Sequence, residues 1–396
     1  MNNTSPRTRA SDTRLTELVT ELAHEFAGRA AGHDRDGSFP FENFDRLKTA
    51  GLLDLMVPRE YGGHGAGLTE VCDVIGGIAR GDASTALVLT MQYLAHALLA
   101  RSLQWPSHLR ERVFRDAVEQ GALINHLRVE PELGTPARGG LPATIASFRD
   151  GSWHLSGHKL YSTGIPGLSW LAVWGRTDEA QPRVGTWLVP RNTEGIRVVE
   201  SWDHLGMRAS ASHEVIFEEV CVPLDYAVDI RQPSEWSPPD AEQTAWFTLP
   251  IAALYDGVAR AARDWLVTYL TKRTPSNLGA PLASLPRFQE AVGELDGKLL
   301  TNQILIRTAA ERTDHGDTPS AHESGLIKLT ATNNAIDAVE RAVALIGNPG
   351  LSRHNPLERH YRDVLCSRIH TPQNDSILLA AGRAAFAARD HKETTS

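Results

Sequence analysis

Cysteine is scarce in this chain: its 396 residues include three, Cys72, Cys221 and Cys366. Their spacing fits neither a disulfide framework nor a metal knuckle, so a reducing, cytoplasmic setting is expected. Long apolar runs are missing as well. No stretch approaches the roughly 18 consecutive apolar residues of a spanning helix. The segment Met1–Arg7 is polar where a signal peptide would be apolar, and no membrane association is expected. Nor is there an excess of positive charge: 40 Lys and Arg against 48 Asp and Glu leave a net charge of −8, with both signs spread along the sequence. Without a basic stripe, nucleic acid is not an expected partner. The sequence also lacks a Gly-x-Ser-x-Gly elbow, a Walker loop and a Gly-x-Gly-x-x-Gly word after a strand. A lone Glu21-x-x-His24 has no second copy to make a di-iron bundle, so no metal is expected and a surface helix face is.

What the chain does contain falls into three textures. Leu15, Leu18, Val19, Leu22 and Phe26 recur at helical spacing, as do Leu87, Met91, Leu94, Ala95 and Leu98. Pro106 opens a further helical run and Gly121 stops it. Between Leu123 and Val228 the pattern changes to short runs rich in β-branched and aromatic residues: 143–148, 153–156, 168–174, 184–189, 196–199 and 213–222. So many short strands predict a small antiparallel barrel or sandwich. Pro233, Pro238 and Pro239 mark a linker. Beyond it the helical period returns at 244–273, 286–313, 319–346 and 372–390, which predicts an antiparallel bundle. The reading is an α+β chain with an N-terminal helical part (1–121), a central β-domain (122–235) and a C-terminal helical bundle (236–396).

Several local words fall in a characteristic order. They are Val57-Pro58-Arg59-Glu60-Tyr61-Gly62-Gly63, Gly157-His158-Lys159-Leu160-Tyr161-Ser162-Thr163-Gly164, Leu205-Gly206-Met207-Arg208-Ala209-Ser210, and Asn355-Pro356-Leu357-Glu358-Arg359-His360-Tyr361-Arg362-Asp363. Together they resemble the acyl-CoA dehydrogenase superfamily of flavoproteins over nearly the whole chain. The resemblance implies an N-terminal helical domain, a central antiparallel β-barrel domain and a C-terminal four-helix bundle. It implies FAD, with FMN as the alternative, wedged between β-domain and bundle, and a homodimer or homotetramer. Position by position, Glu130-Pro131-Glu132-Leu133-Gly134-Thr135 matches the flavin-side strand and turn, with Thr135 near the pyrophosphate. Val129 and Glu132 depart from that word, standing where the family has threonine and glycine. Tyr161 and Thr163 match the aromatic and the threonine that flank the flavin ring. Arg273 matches an arginine that reaches the pyrophosphate of a neighbouring subunit, as charge-assisted pairing requires. Gly347 and Gly350 match the glycines on the adenine side.

The family's dehydrogenases use a glutamate to take the substrate's α-proton, a task for a carboxylate with a raised pKa. The two positions that supply it in the family are Thr371 and Phe247 here. The superfamily also contains monooxygenases that receive reduced flavin, use oxygen on a small organic substrate and need no such base. That branch resembles this chain at Ser162, beside the flavin, and at His370, followed by Pro372. It also resembles the polar set Gln92, Tyr93 and His96 on an otherwise apolar helix, where Gln92 and His96 share a face. Asn125 is a further candidate ahead of the flavin-facing strand. The expectation leans to a monooxygenase served by a separate flavin reductase. A dehydrogenase with His370 or Asp375 as relocated base is the alternative, and a non-catalytic flavin-binding homologue the third.

Overall fold

The computed structural model describes residues 9–133 and 140–394. Five helices come first: α1 (Arg9–Asp36), α2 (Phe41–Thr49), α3 (Leu68–Ala79), α4 (Ala83–Arg101) and α5 (Ser107–Gln120). Their ends follow local chemistry. The Asp82 carboxylate accepts the Ser84 and Thr85 amides to start α4, and Gly121, left-handed at φ 70°, ends α5. By length and composition α4 could cross a membrane, yet here it is a core helix walled in by the rest of the fold. Glu21 and His24 are exposed on α1, as a surface face requires.

Eight strands follow: β1 (Leu123–Leu127), β2 (Ile145–Arg149), β3 (Ser152–Lys159), β4 (Leu168–Thr177), β5 (Val184–Pro190), β6 (Ile196–Val199), β7 (Glu214–Pro223) and β8 (Ala227–Arg231). They form one sheet in the order β6-β7-β3-β2-β4-β5-β8, with β1 added against β4. Two corrections to the expected antiparallel barrel result. The sheet is open, ending at β6 and β8, and it is mixed, because β1 and β2 both run parallel to β4. β4 is nearly all buried, so its side chains lack the alternation that would betray its partners' direction.

After a 3-10 turn at Pro233–Glu235, Asp240 caps α6 (Ala241–Lys272) in a reciprocal box with Gln243. Then come α7 (Pro286–Asp314), α8 (Ala321–Ile346), the short α9 (Asn348–Leu351) and α10 (Leu357–Leu365), and α11 (Asn374–Thr394). The four long helices make the bundle, and α3 lies across α6. Gly76 and Gly257 meet at that crossing, where a β-carbon on either would run into the other helix's backbone.

Arg362 on α10 ties the three parts together. Its guanidinium pairs with Asp34 of α1 at 2.6 Å and with Glu358 at 2.8 Å, and donates to the Leu205 carbonyl at 2.9 Å. Next to it, buried Asp363 accepts the Met207 amide at 2.7 Å. Arg208 completes the knot, donating to the Asp34 carbonyl at 2.7 Å.

Candidate functional site

The 161–164 segment leaves the sheet at the end of β3 and is fixed from three directions. The Leu160 amide bonds the Val129 carbonyl at 2.9 Å, joining this segment to the stretch just after β1. The Ser162 amide bonds the His213 carbonyl, and the Gly164 amide the Ser210 carbonyl. From β1, Asn125 donates its side-chain amide to the Thr163 carbonyl at 3.0 Å. Gly164 has φ 79°, and a β-carbon there would meet Val88 of α4 at 2.8 Å. Tyr161, Met207 and Ala211 all have positive φ without being glycine. Such backbone costs about 1–3 kcal/mol per residue and concentrates at functional sites. Sequence words thus converge: Asn125, Tyr161, Ser162 and Thr163 are brought together.

Around them stand groups that sequence reading missed. Tyr161 is 53% exposed, and its ring meets the edges of Trp202 and His204, which stack on each other at 3.7 Å. Ser210, Ser212 and Thr163 form a hydroxyl chain. Ser210 and Ser212 lie 2.8 Å apart, and Ser212 donates to Thr163 Oγ1 at 3.0 Å. With Thr163 receiving at its oxygen, its own proton is free to be donated outward. Ser162 Oγ is sealed and bonds no described residue. No periodicity signals the chain, because Ser210 ends a 3-10 turn and Ser212 precedes β7.

Glu130, expected in the flavin-side turn, points inward. It is buried and accepts Lys159 Nζ at 2.6 Å, Thr144 Oγ1 at 2.6 Å and the Ala143 and Thr144 amides. Burial opposes ionisation of Glu130, but the Lys159 charge and these donors hold it below the usual carboxylate range. Burial pulls Lys159 down to about 8 against the attraction of Glu130. Lys159 also donates to the Trp174 carbonyl. This pair braces β3 against the neighbouring turn. Thr135 lies outside the described residues.

The loop after α10 carries His370. Its Nδ1 lies 2.6 Å from the hydroxyl of Tyr255, a sealed residue of α6. Lys328, wholly buried on α8, donates to the carbonyls of Ser367 at 3.3 Å, His370 at 3.0 Å and Pro372 at 2.9 Å. Burial, then the Lys328 charge, pushes His370 down to about 4; burial pulls Lys328 itself to about 8. Neither partner was anticipated. Lys328 could have been, because it occupies the apolar stripe Ser324, Lys328, Ala331, Ala335 of α8, where a cation needs acceptors. The Met207–Asp363 and Arg362–Leu205 bonds hold α10 against the turn that follows Trp202 and His204, so this loop starts beside the site.

Other candidates lie elsewhere. Gln92 uses its side chain to tie β1 to α4, accepting the Ile124 amide at 2.7 Å and donating to the Ala122 carbonyl at 3.1 Å. His96 packs edge-on against Phe114, with burial pushing it to about 3. It sits eight residues beyond Val88, about 12 Å along the helix, with its Nε2 3.3 Å from the Gln92 side-chain amide. Asp375 is exposed in the first turn of α11 and accepts the Ser376 amide at 2.8 Å. Arg273 is exposed at the end of α6, eighteen residues or about 27 Å from Tyr255. Gly347 ends α8 with φ 67°, and Gly350 is buried against Val343. Thr371 is exposed and Phe247 half-buried, and neither is an acid. Two further concavities, of about 270 and 340 Å³, are lined by arginines already paired with carboxylates, so neither competes as the site.

Three family models match in order: the acyl-CoA dehydrogenase N-terminal domain over 11–102, the middle domain over 129–220 and the C-terminal domain over 242–384. "Putative acyl-CoA dehydrogenase YdbM" of Bacillus subtilis is 32% identical, covering 93% of this chain and 96% of that protein. The chain belongs to the acyl-CoA dehydrogenase family. Among solved structures, KijD3 in complex with FMN and a dTDP-linked amino-keto sugar is 27% identical, with a TM-score of 0.83 over 97% of this chain and 95% of KijD3. The nitrososynthase of Micromonospora carbonacea var. africana is 25% identical, with a TM-score of 0.81 over 96% and 98% of the two chains.

Proposed function

We propose that this protein is a flavin-dependent enzyme that uses oxygen on a small organic substrate. The observation that carries the reading is the loss of the acid: Thr371 and Phe247 occupy both family positions for the proton-abstracting glutamate, and Asp375 serves a helix start. The residues at the 161–164 segment fit a flavin ring. Thr163 has a free hydroxyl proton to donate, and Tyr161 offers an exposed aromatic face. A bound reduced flavin supplies two electrons, so that one oxygen atom enters the substrate and the other leaves as water. Thr163 and Asn125 would then orient the ring, His370 would provide a donor, and Trp202 with His204 would back Tyr161. Relatives support either flavin: KijD3 was solved with FMN, and the family resemblance favours FAD. A separate flavin reductase would supply the reduced form. Arg273, about 27 Å along α6 from Tyr255, would serve a neighbouring copy, as in a homodimer or homotetramer, and Gly347 and Gly350 would line the adenine side.

The test supplies purified protein with chemically reduced flavin and a panel of amines, phenols and heterocycles under ¹⁸O₂. Mass spectrometry should find one labelled oxygen in product. A second reading, acyl thioester dehydrogenation with His370 as base, draws support from the name and identity of YdbM. Anaerobic bleaching of bound flavin by an acyl-CoA, with no label in any product, would replace the first reading by the second.

A further inference from the structure

We propose that Tyr255 and Lys328 are positioning residues that fix His370 as a neutral imidazole carrying its single proton on Nε2. The inference rests on the reading that the 161–164 segment takes a flavin. Tyr255 is sealed, and burial raises its phenol well above the ordinary value, so the hydroxyl keeps its proton. That proton needs an acceptor, and the partner at hand is His370 Nδ1 at 2.6 Å. A nitrogen that accepts carries no hydrogen, so the ring's proton sits on Nε2.

Lys328 fixes the backbone as Tyr255 fixes the ring. Its ammonium spends its three donors on the carbonyls of Ser367, His370 and Pro372, bracketing the histidine on both sides. It also places a positive charge beside the imidazole, which disfavours a second proton. Asp363 and Cys366, from α10 and the turn after it, act electrostatically on Tyr255 and disfavour its ionisation, reinforcing the same arrangement.

A chemical consequence follows. Nδ1 is occupied and Nε2 is already protonated, so His370 can donate a hydrogen bond but has no free lone pair with which to strip a carbon acid. The pair therefore selects the electrophilic use of this histidine over the basic one.

The experiment is ¹⁵N NMR of the full-length protein labelled at histidine, flavin-free and flavin-loaded, with the His370 signals identified from H370Q. The expected spectrum at pH 7 has an unprotonated Nδ1 and a protonated Nε2. Tyr255→Phe should shift the tautomer ratio about tenfold toward the Nδ1–H form, the scale of one lost hydrogen bond, and raise the pH at which the ring protonates. Lys328→Met should leave the Tyr255 bond but increase amide exchange at 367–371 at least tenfold. Lys328→Gln, which retains amide donors, should restore part of that protection and serves if the methionine variant does not fold. An Nδ1–H ring or an imidazolium in the wild type at pH 7, or a Y255F spectrum identical to wild type, overturns the proposal. None of these readouts uses turnover, so the oxygen-labelling experiment can fail while this result stands, and the reverse.

Discussion

Replacing His370 with alanine removes a side-chain donor while leaving the 161–164 segment intact. We expect product formation to fall about 10²-fold, the scale of one positioned proton donor, while the flavin dissociation constant changes only a few-fold. Equal losses in both would make His370 a packing residue. Asp375→Asn is the companion variant: its carboxylate faces solvent at a helix start, so turnover should stay within a factor of two. A relocated base at Asp375 would instead lose nearly all activity. At this scale the sequence singled out Tyr161, Ser162 and Thr163 because they stand together in one word; the bond from Asn125 to the Thr163 carbonyl spans 38 residues and was not readable. Tyr255 and Lys328 were not readable as partners of His370. They reach it from two other helices, across separations of 115 and 42 residues that no local pattern encodes.

Elements are held together here by close backbone approach and by buried charge. A β-carbon on Gly206 would overlap the Arg362 carbonyl and the Asp363 Cα. Gly206→Ala should therefore push the 205–210 turn off α10 and lower stability by about 1–3 kcal/mol, in the range of overpacking, measurable as a reduced denaturant midpoint. Glu130→Gln leaves Lys159 buried without its counter-charge; breaking such a pair costs about 3–5 kcal/mol. A smaller loss on urea unfolding would show that the Trp174 carbonyl alone can hold the ammonium. The long helices were legible because amphipathic spacing is local; the Asp240–Gln243 cap and the short α9 and α10 were not anticipated. Six of the strands were legible too. β1 and β8 were not, and the parallel pairing of β1 and β2 with β4 could not be, since a buried strand shows one continuous apolar run whichever way its neighbours point.

The whole molecule should be acid-sensitive in a defined window. His96 and His360 are buried and held neutral to about 3 by desolvation, with Arg359 adding to the effect at His360. In the unfolded chain they take up protons near 6.5. Below that pH the unfolded state binds more protons, so each histidine removes stability at about 1.4 kcal/mol per pH unit until its folded pKa is reached. Asp363 works in the opposite direction, because burial raises it to about 7, and its contribution grows as pH falls from 7 toward 4. His126 and His370, held neutral to about 4 mainly by burial, pull the same way; four histidines against one carboxyl leave a net loss, so the unfolding temperature should drop between pH 6 and 4, and His96→Gln should flatten the slope. A profile indifferent to pH in that range would contradict the burial assigned to these rings. The Arg362–Asp34 pair has a further consequence, for synthesis. Its partners stand 328 residues apart, and a ribosome working at about 5–20 residues per second needs roughly 20–60 s to make the second after the first. Throughout that interval the Asp34 carboxylate lacks this partner, and the first helix relies on its packing against α3 and, once made, on the Arg208 bond to the Asp34 carbonyl until the far end emerges.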